Sequence, residues 1–228
     1  MTLKTLATGS TGNCYILTSD TGKHLILDAG IPIAEIKKGL DFDIENVEGC
    51  IITHCHKDHL LSADKVSNFT PVWKPYLSEH KRQHTHLGSF DIQSFDVPHN
   101  GCECRAFLIT VDDTKILYCT DAEYIPYSLK GQNINVMLIE CNYMSDLVKD
   151  ENTHREHVFK GHMELETTLG VIKDNIKHLR KVILCHMSMS GSLDRDKAME
   201  RIREEVPDYI SVEWAKAGNV TDISEIPF

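Results

Sequence analysis

The stretch Thr53-His54-Cys55-His56-Lys57-Asp58-His59 constrains this chain more than any other, because it follows directly on the apolar run Val47 to Ile52. Its three imidazoles and one carboxylate form a metal-ligand set. A turn leaving a strand aims His54 and His56 at one point and Asp58 and His59 at another, so the spacing predicts two neighbouring metal sites. A histidine-rich surface loop is the bland alternative. It is set aside because the residue types needed to complete both sites recur at later strand ends.

The rest of the chain reads as strands and helices that lead into such ends. Thr2 to Thr8 alternates as a strand, Gly9-Ser10-Thr11-Gly12-Asn13 is a tight-turn cluster, and Cys14 to Thr18 and Lys23 to Leu27 complete a meander that ends in Asp28-Ala29-Gly30. Pro32 opens a helix with Ile33, Ile36 and Leu40 on one face, and Asp58 to Ala63 starts another. The pattern weakens between Asn68 and Phe90. Within it, the run His80 to His86 has the residues for a third metal site or a basic contact to a polyanion, but a solvated loop is the expected fate.

Ser89 to Val97 is a strand ending at Pro98-His99-Asn100, and Cys104 to Val111 and Lys115 to Cys119 form a hairpin whose second strand ends in Thr120-Asp121. Asn135 to Ile139 ends at Glu140-Cys141-Asn142. Ser145 to Phe159 is polar and partly helical, with His154 and His157 as exposed helix residues rather than ligands. Gly161-His162 precedes an amphipathic helix carrying Leu165, Leu169, Ile172 and Ile176, and Lys181 to Cys185 ends at His186-Met187-Ser188. Asp194 caps a helix with Ala198, Ile202 and Val206, which Pro207 stops, and Tyr209 to Val212 is the last strand. There is no internal repeat or low-complexity linker, so a single domain over residues 1–228 is expected.

Composition narrows the class. A hydrophobic share of 41% and a charged share of 25% suit an ordinary soluble globular protein. No apolar run reaches membrane-spanning length, and the N-terminus lacks a basic start followed by a long apolar run; a cytoplasmic protein with no membrane contact is expected. Cys14, Cys50, Cys55, Cys119 and Cys185 lie in or at the ends of apolar runs and read as small core residues. Cys102 and Cys104 are too close for a zinc knuckle, so no structural cysteine-zinc site is expected. The net charge of −10 opposes broad attraction to nucleic acid, although two divalent cations would return about four positive charges where a phosphate must sit.

Asp28, His54, His99, Asp121, Glu140 and His186 each stand at or just after an apolar strand end, and such ends converge on one cleft. In this order of motifs the chain resembles the metallo-β-lactamase-fold hydrolases: an early Asp, His-x-His-x-Asp-His, a His, an Asp and a His. The resemblance implies an α/β fold, a four-layer αββα sandwich. It also implies one metal held by His54, His56 and His99, a second by Asp58, His59 and His186, and Asp121 bridging the two. Asp28 would orient a ligand from behind. Two ions, zinc or manganese, roughly 3.5–4 Å apart would supply a bridging hydroxide near neutral pH, with Asp58 counted as catalytic as well as a ligand.

Glu140 and His162 match in position the leaving-group acid pair of the superfamily's phosphodiesterase branches, such as the tRNA 3′-processing endonucleases. Ala7 to Cys14, Glu140-Cys141-Asn142, Gly161-His162-Met163 and His186-Met187-Ser188 together look most like the small bacterial WalJ-type branch, regarded as DNA exonucleases. That likeness runs from about Leu6 to Ser192. Glu164-Leu165 stands where that branch tends to carry Ser-Asn, and the length leaves no room for an inserted β-CASP-type domain.

The first expectation is therefore a two-metal phosphodiesterase acting on a nucleic acid end. Ser188 and Asn13, the latter in the Gly9 to Asn13 loop, would be phosphate contacts, and Lys81, Arg82, Arg195, Lys197 and Arg201 a strand track. The alternative is a phosphodiesterase for a small cyclic nucleotide, which the acidic balance favours somewhat. A thioester or lactam hydrolase would leave Glu140 and His162 without a task, and a non-catalytic metal-stabilised module would be expected to have lost ligands. The choice of metal stays open, as does the oligomeric state, a homodimer included.

Overall fold

A computed structural model describes residues 1–148, 158–188 and 191–224 of the chain. His154 and His157 lie outside them. Among the described residues the strands form two sheets. The first has the order β13-β1-β2-β3-β4-β5, from β1 (Thr2–Ala7), β2 (Cys14–Thr18), β3 (His24–Leu27), β4 (Val47–Ile51), β5 (Val72–Trp73) and β13 (Val220–Asp222). The second runs β12-β11-β10-β9-β8-β7-β6. Its strands are β6 (Arg82–Leu87), β7 (Phe90–His99), β8 (Cys102–Val111), β9 (Thr114–Cys119), β10 (Val136–Glu140), β11 (Lys181–Cys185) and β12 (Ser211–Trp214).

Alternation along the strands builds three apolar layers. Leu3, Tyr15, Leu17, Leu25, Leu27 and Ile51 of the first sheet meet Phe90, Ile92, Phe107, Ile109, Tyr118 and Leu138 of the second in the middle. The intervening positions, such as Cys14, Ile16, Ile26 and Cys50, face outward under helix α1 (Ile33–Gly39) and the short helix α3 (Ala63–Val66). On the far side, Val97, Leu117, Met137 and Leu184 pack under α4 (Leu165–Asp174) and α5 (Arg195–Arg203). Helix, sheet, sheet, helix is the expected four-layer αββα sandwich. Strands covered on both faces need apolar residues at nearly every position, which is why β10, Val-Met-Leu-Ile-Glu, is buried throughout.

Pairing direction places the strand ends. β3 runs parallel to β4, and β9, β10, β11 and β12 are mutually parallel, with Cys119 opposite Ile139 and Glu140 opposite Cys185. Asp121, Glu140 and His186 thus leave neighbouring strands at one edge. The hairpin between β8 and β9 turns on Asp112 and Asp113, both at positive φ (47° and 59°), the type I′ geometry that follows the strand twist.

Four details depart from the sequence reading. The helix expected from Asp58 to Ala63 is two short helices, α2 (Lys57–Leu60) and α3. The run His80 to His86 is not a loop: from Arg82 onward it is the edge strand β6, paired along β7. β13 was not anticipated, and it closes the first sheet against β1 through Thr2–Asp222 and Lys4–Val220 pairs. Cys55 is exposed rather than in the core, its Sγ 3.5 Å from that of Cys102. No helix of the described residues is long and apolar enough to cross a membrane.

Candidate metal centre

β4 delivers Thr53 and His54 to the edge where β3 delivers Asp28, and α2 begins at once, so Asp58 and His59 lie in its single turn. Close backbone packing holds this loop down. The amide of Asn13 donates to the carbonyl of Asp58 and that of Ala29 to the carbonyl of His59, each at 2.7 Å. Gly30 is required here: a Cβ at that position would lie 1.6 Å from the Asp58 carbonyl oxygen.

Two donor sets result. His54, His56 and His99 turn ring nitrogens toward one point, with His54 Nε2 at 2.9 Å and His99 Nε2 at 3.3 Å from His56 Nδ1. Asp58, His59, Asp121 and His186 form the second. Asp121 stands between them, its Oδ2 2.5 Å from His59 Nε2 and 3.8 Å from His54 Nε2, its Oδ1 3.0 Å from His186 Nδ1. The residues that the sequence assigned to two metals and a bridging carboxylate are therefore brought together in two adjoining sets.

Each buried imidazole has its other nitrogen fixed from behind. His59 Nδ1 donates to Asp28 Oδ2 (2.8 Å), His99 Nδ1 to the Gly161 carbonyl (2.6 Å) and His186 Nδ1 to Glu140 Oε1 (3.0 Å). For His59 and His99 this leaves the other ring nitrogen toward the centre, the arrangement of histidine ligands held by carboxylates and carbonyls. Asp28 is fully buried and also accepts from the Thr53 amide (2.8 Å) and the Tyr118 hydroxyl (2.6 Å). Asp28, Asp121 and His186 adopt positive φ (57°, 49° and 48°), a left-handed backbone that costs an L-residue about 1–2 kcal/mol.

The donor chemistry fits divalent cations. His186 Nε2 is buried without a hydrogen-bond partner among the described residues, an expensive state for a polar atom that a metal bond would relieve. An all-nitrogen set beside a mixed nitrogen and carboxylate set suits borderline ions such as zinc, with manganese favoured by the carboxylates. The electrostatics agree. Burial alone would raise the Asp121 carboxyl, but His186, His59 and His162 outweigh it and hold it well below the usual carboxylate range. Burial, reinforced by His59, pushes His54 far below the ordinary imidazole value, leaving it a neutral donor.

Behind the second set lies the Glu140–His162 pair. Glu140 is fully buried, not a solvated strand end. Its Oε1 accepts from His162 Nδ1 at 2.8 Å, and its Oε2 from the Ala122 and Met163 amides at 2.9 and 3.2 Å. Burial disfavours a charge on His162, but Glu140, with Asp121, outweighs it and pushes the imidazole up to about 10.

Asn13 is fully buried; its amide group bonds Gly9 on both sides and lies 2.9 Å from His59 Nε2. Ser188 follows His186, its amide bonded to the Asn142 carbonyl. Of the basic residues, Arg201 is engaged by Glu166 and Glu205. Lys81, with Arg105, lines a cleft of about 610 Å³ that reaches His99, and Arg82 lies over the Tyr127 ring. Sequence reasoning missed Thr53, whose hydroxyl contacts Asp28, His54 and His59, as well as Tyr118 and Asn142. Thr53 opens the histidine motif and was visible there; Tyr118 sits inside an apolar strand and gives no local signal.

Comparison with known proteins agrees with this fold. Residues 7–115 match the family model described as metallo-beta-lactamase superfamily. The exodeoxyribonuclease YycJ of Bacillus anthracis is 23% identical over 222 residues, covering 82% of this chain and 83% of its own length. The metallo-beta-lactamase fold protein YhfI from Bacillus subtilis superimposes with a TM-score of 0.72 at 18% identity, over 96% of this chain and 98% of that one. The short form of human tRNase Z gives 0.68 at 14% identity, over 99% and 100%.

Proposed function

We propose that this chain, a hydrolase that carries a metallo-β-lactamase domain, is a two-metal phosphodiesterase acting on nucleic acid ends. His54, His56 and His99 would hold one ion, Asp58, His59 and His186 the other, and Asp121 both. Ions bound there would supply an activated water and polarise the phosphoryl oxygen. Asp28, Glu140 and the Gly161 carbonyl keep the imidazoles oriented, so ligand geometry is set before substrate arrives. Asn13 fastens the Gly9 loop beside the centre, its side-chain amide next to the His59 Nε2 that faces Asp121.

The observation that carries the reading is the buried Glu140–His162 pair. An alkoxide leaving from phosphorus must gain a proton, whereas the thiolate leaving from a thioester need not. Glu140 fixes Nδ1 of His162 and favours the imidazolium, which makes this ring a competent donor to the departing oxygen. The likeness to an exodeoxyribonuclease and to a tRNase Z points the same way. A small cyclic nucleotide is the second reading. It is favoured by the net charge of −10 and by the engagement of Arg201 with acidic neighbours, which thin any basic track.

The test is cleavage of three substrates by the metal-reconstituted protein and its Asp58→Ala variant: 5′-labelled single-stranded DNA, 3′,5′-cyclic mononucleotides and a thioester. Nucleotide release from DNA, absent in the variant and falling steeply with salt, supports the nuclease. Hydrolysis of a cyclic nucleotide with DNA intact and little salt dependence establishes the second reading, and thioester cleavage alone removes both.

A further inference from the structure

Strand β6 carries a second group of ligand-type side chains, separate from the centre described above. His84 and His86 are two residues apart and so project from one face of the strand, their ring centroids 4.8 Å apart. The antiparallel register puts Asp91 of β7 directly opposite His86. Both rings face the same carboxylate oxygen: His84 Nε2 hydrogen-bonds Asp91 Oδ1, and His86 Nδ1 lies 3.6 Å from it. Gln83, on the alternate face, donates to the Pro75 and His80 carbonyls at 2.8 and 3.1 Å and holds the entry to the strand in place.

Burial does not explain this convergence. The three side chains are 51%, 67% and 37% exposed, where an ion pair contributes little and does not offset the cost of ordering two rings. Two imidazole nitrogens and one carboxylate oxygen lie mutually within 4.8 Å on a rigid strand pair, the donor types and number that three corners of a tetrahedral zinc site require. Two nitrogen donors disfavour magnesium and calcium, which take oxygen, and favour zinc, with nickel and copper competing. The exposure of all three side chains leaves room for water at the position the protein does not fill.

We infer that His84, His86 and Asp91 form a third, surface zinc site that clamps the edge strand to its neighbour. It requires neither the nuclease reading nor the two-metal centre. An ion here would tie the edge strand β6 to β7 at the end of the sheet.

The test counts ions on the full chain. Wild type, His84→Ala/His86→Ala and Asp91→Asn proteins are saturated with zinc, desalted and analysed by mass spectrometry for metal per chain, and cleavage of bis(p-nitrophenyl) phosphate is measured on the same samples. The site predicts one zinc fewer in both variants than in wild type, with unchanged cleavage, and a zinc-dependent rise in melting temperature that the variants lack in part. The difference of one ion is the readout, whatever the other centre holds. Equal counts in all three proteins, or a third zinc that desalting removes from wild type, would overturn the inference.

Discussion

Replacing Asp28 by Asn tests whether the centre depends on carboxylates that never touch the metal. Asp28 is fully buried and collects donors on both oxygens: the Thr53 amide on Oδ1, His59 Nδ1 and the Tyr118 hydroxyl on Oδ2, and the Thr53 hydroxyl between them. An asparagine keeps one acceptor and adds a donor. With its NH2 at the Oδ1 side it opposes the Thr53 amide, orphaning one buried donor at about 1–3 kcal/mol. At the Oδ2 side it opposes both His59 and Tyr118 and costs roughly twice that. The smaller loss is the expected one, a drop of about 2–12 °C in melting temperature for a chain of this size.

His59 also loses the negative charge behind it, so zinc affinity should fall about 10–100-fold at one of the two adjoining sites, while His54, His56 and His99 keep theirs. Titration against buffered free zinc, with unfolding followed by circular dichroism, separates the two effects. If both sites kept wild-type affinity within a factor of two, Asp28 would not be orienting a ligand and the reasoning would fail.

Further outcomes follow from the same geometry. His162→Ala should lower turnover about 10²–10⁴-fold on a nucleotide substrate but less than about 10-fold on a p-nitrophenyl ester, whose leaving group needs no proton; equal losses would remove His162 as the acid. Gly30→Ala drives a methyl into the Asp58 carbonyl at 1.6 Å, between backbone hydrogen bonds that cannot yield, and should destabilise by about 3 kcal/mol in chemical unfolding. Chelation should lower the melting temperature, because an ion held at 100 times its Kd contributes about 2.7 kcal/mol; a scan with and without chelator that superimposes would contradict bound metal.

Much of the centre was legible because ligand types at strand ends are a local signal with a global meaning. Parallel strands align their ends, so Asp121, Glu140 and His186 had to meet once the runs before them were recognised as neighbours. β6 was not legible: Arg-Gln-His-Thr-His alternates polar with polar, and only its pairing with β7 makes it a strand. β13 is three residues long with two exposed, and its existence depends wholly on β1. Cys55 looked like a core residue since it follows an apolar strand closely, but the turn that aims His54 inward sends its neighbour out. Asn13 read as a loop residue open to phosphate, and the fold buries it fully, its side-chain amide 2.9 Å from His59 Nε2.

The central claim meets its most direct test in a metal titration of chelated protein carrying His84→Ala and His86→Ala, so that the surface site does not take up ions, with nucleotide release from 5′-labelled single-stranded DNA as the signal. The account predicts that cleavage rises with added zinc or manganese and saturates at two equivalents per chain. DNA left intact at every metal load, or saturation at a single equivalent, would contradict it.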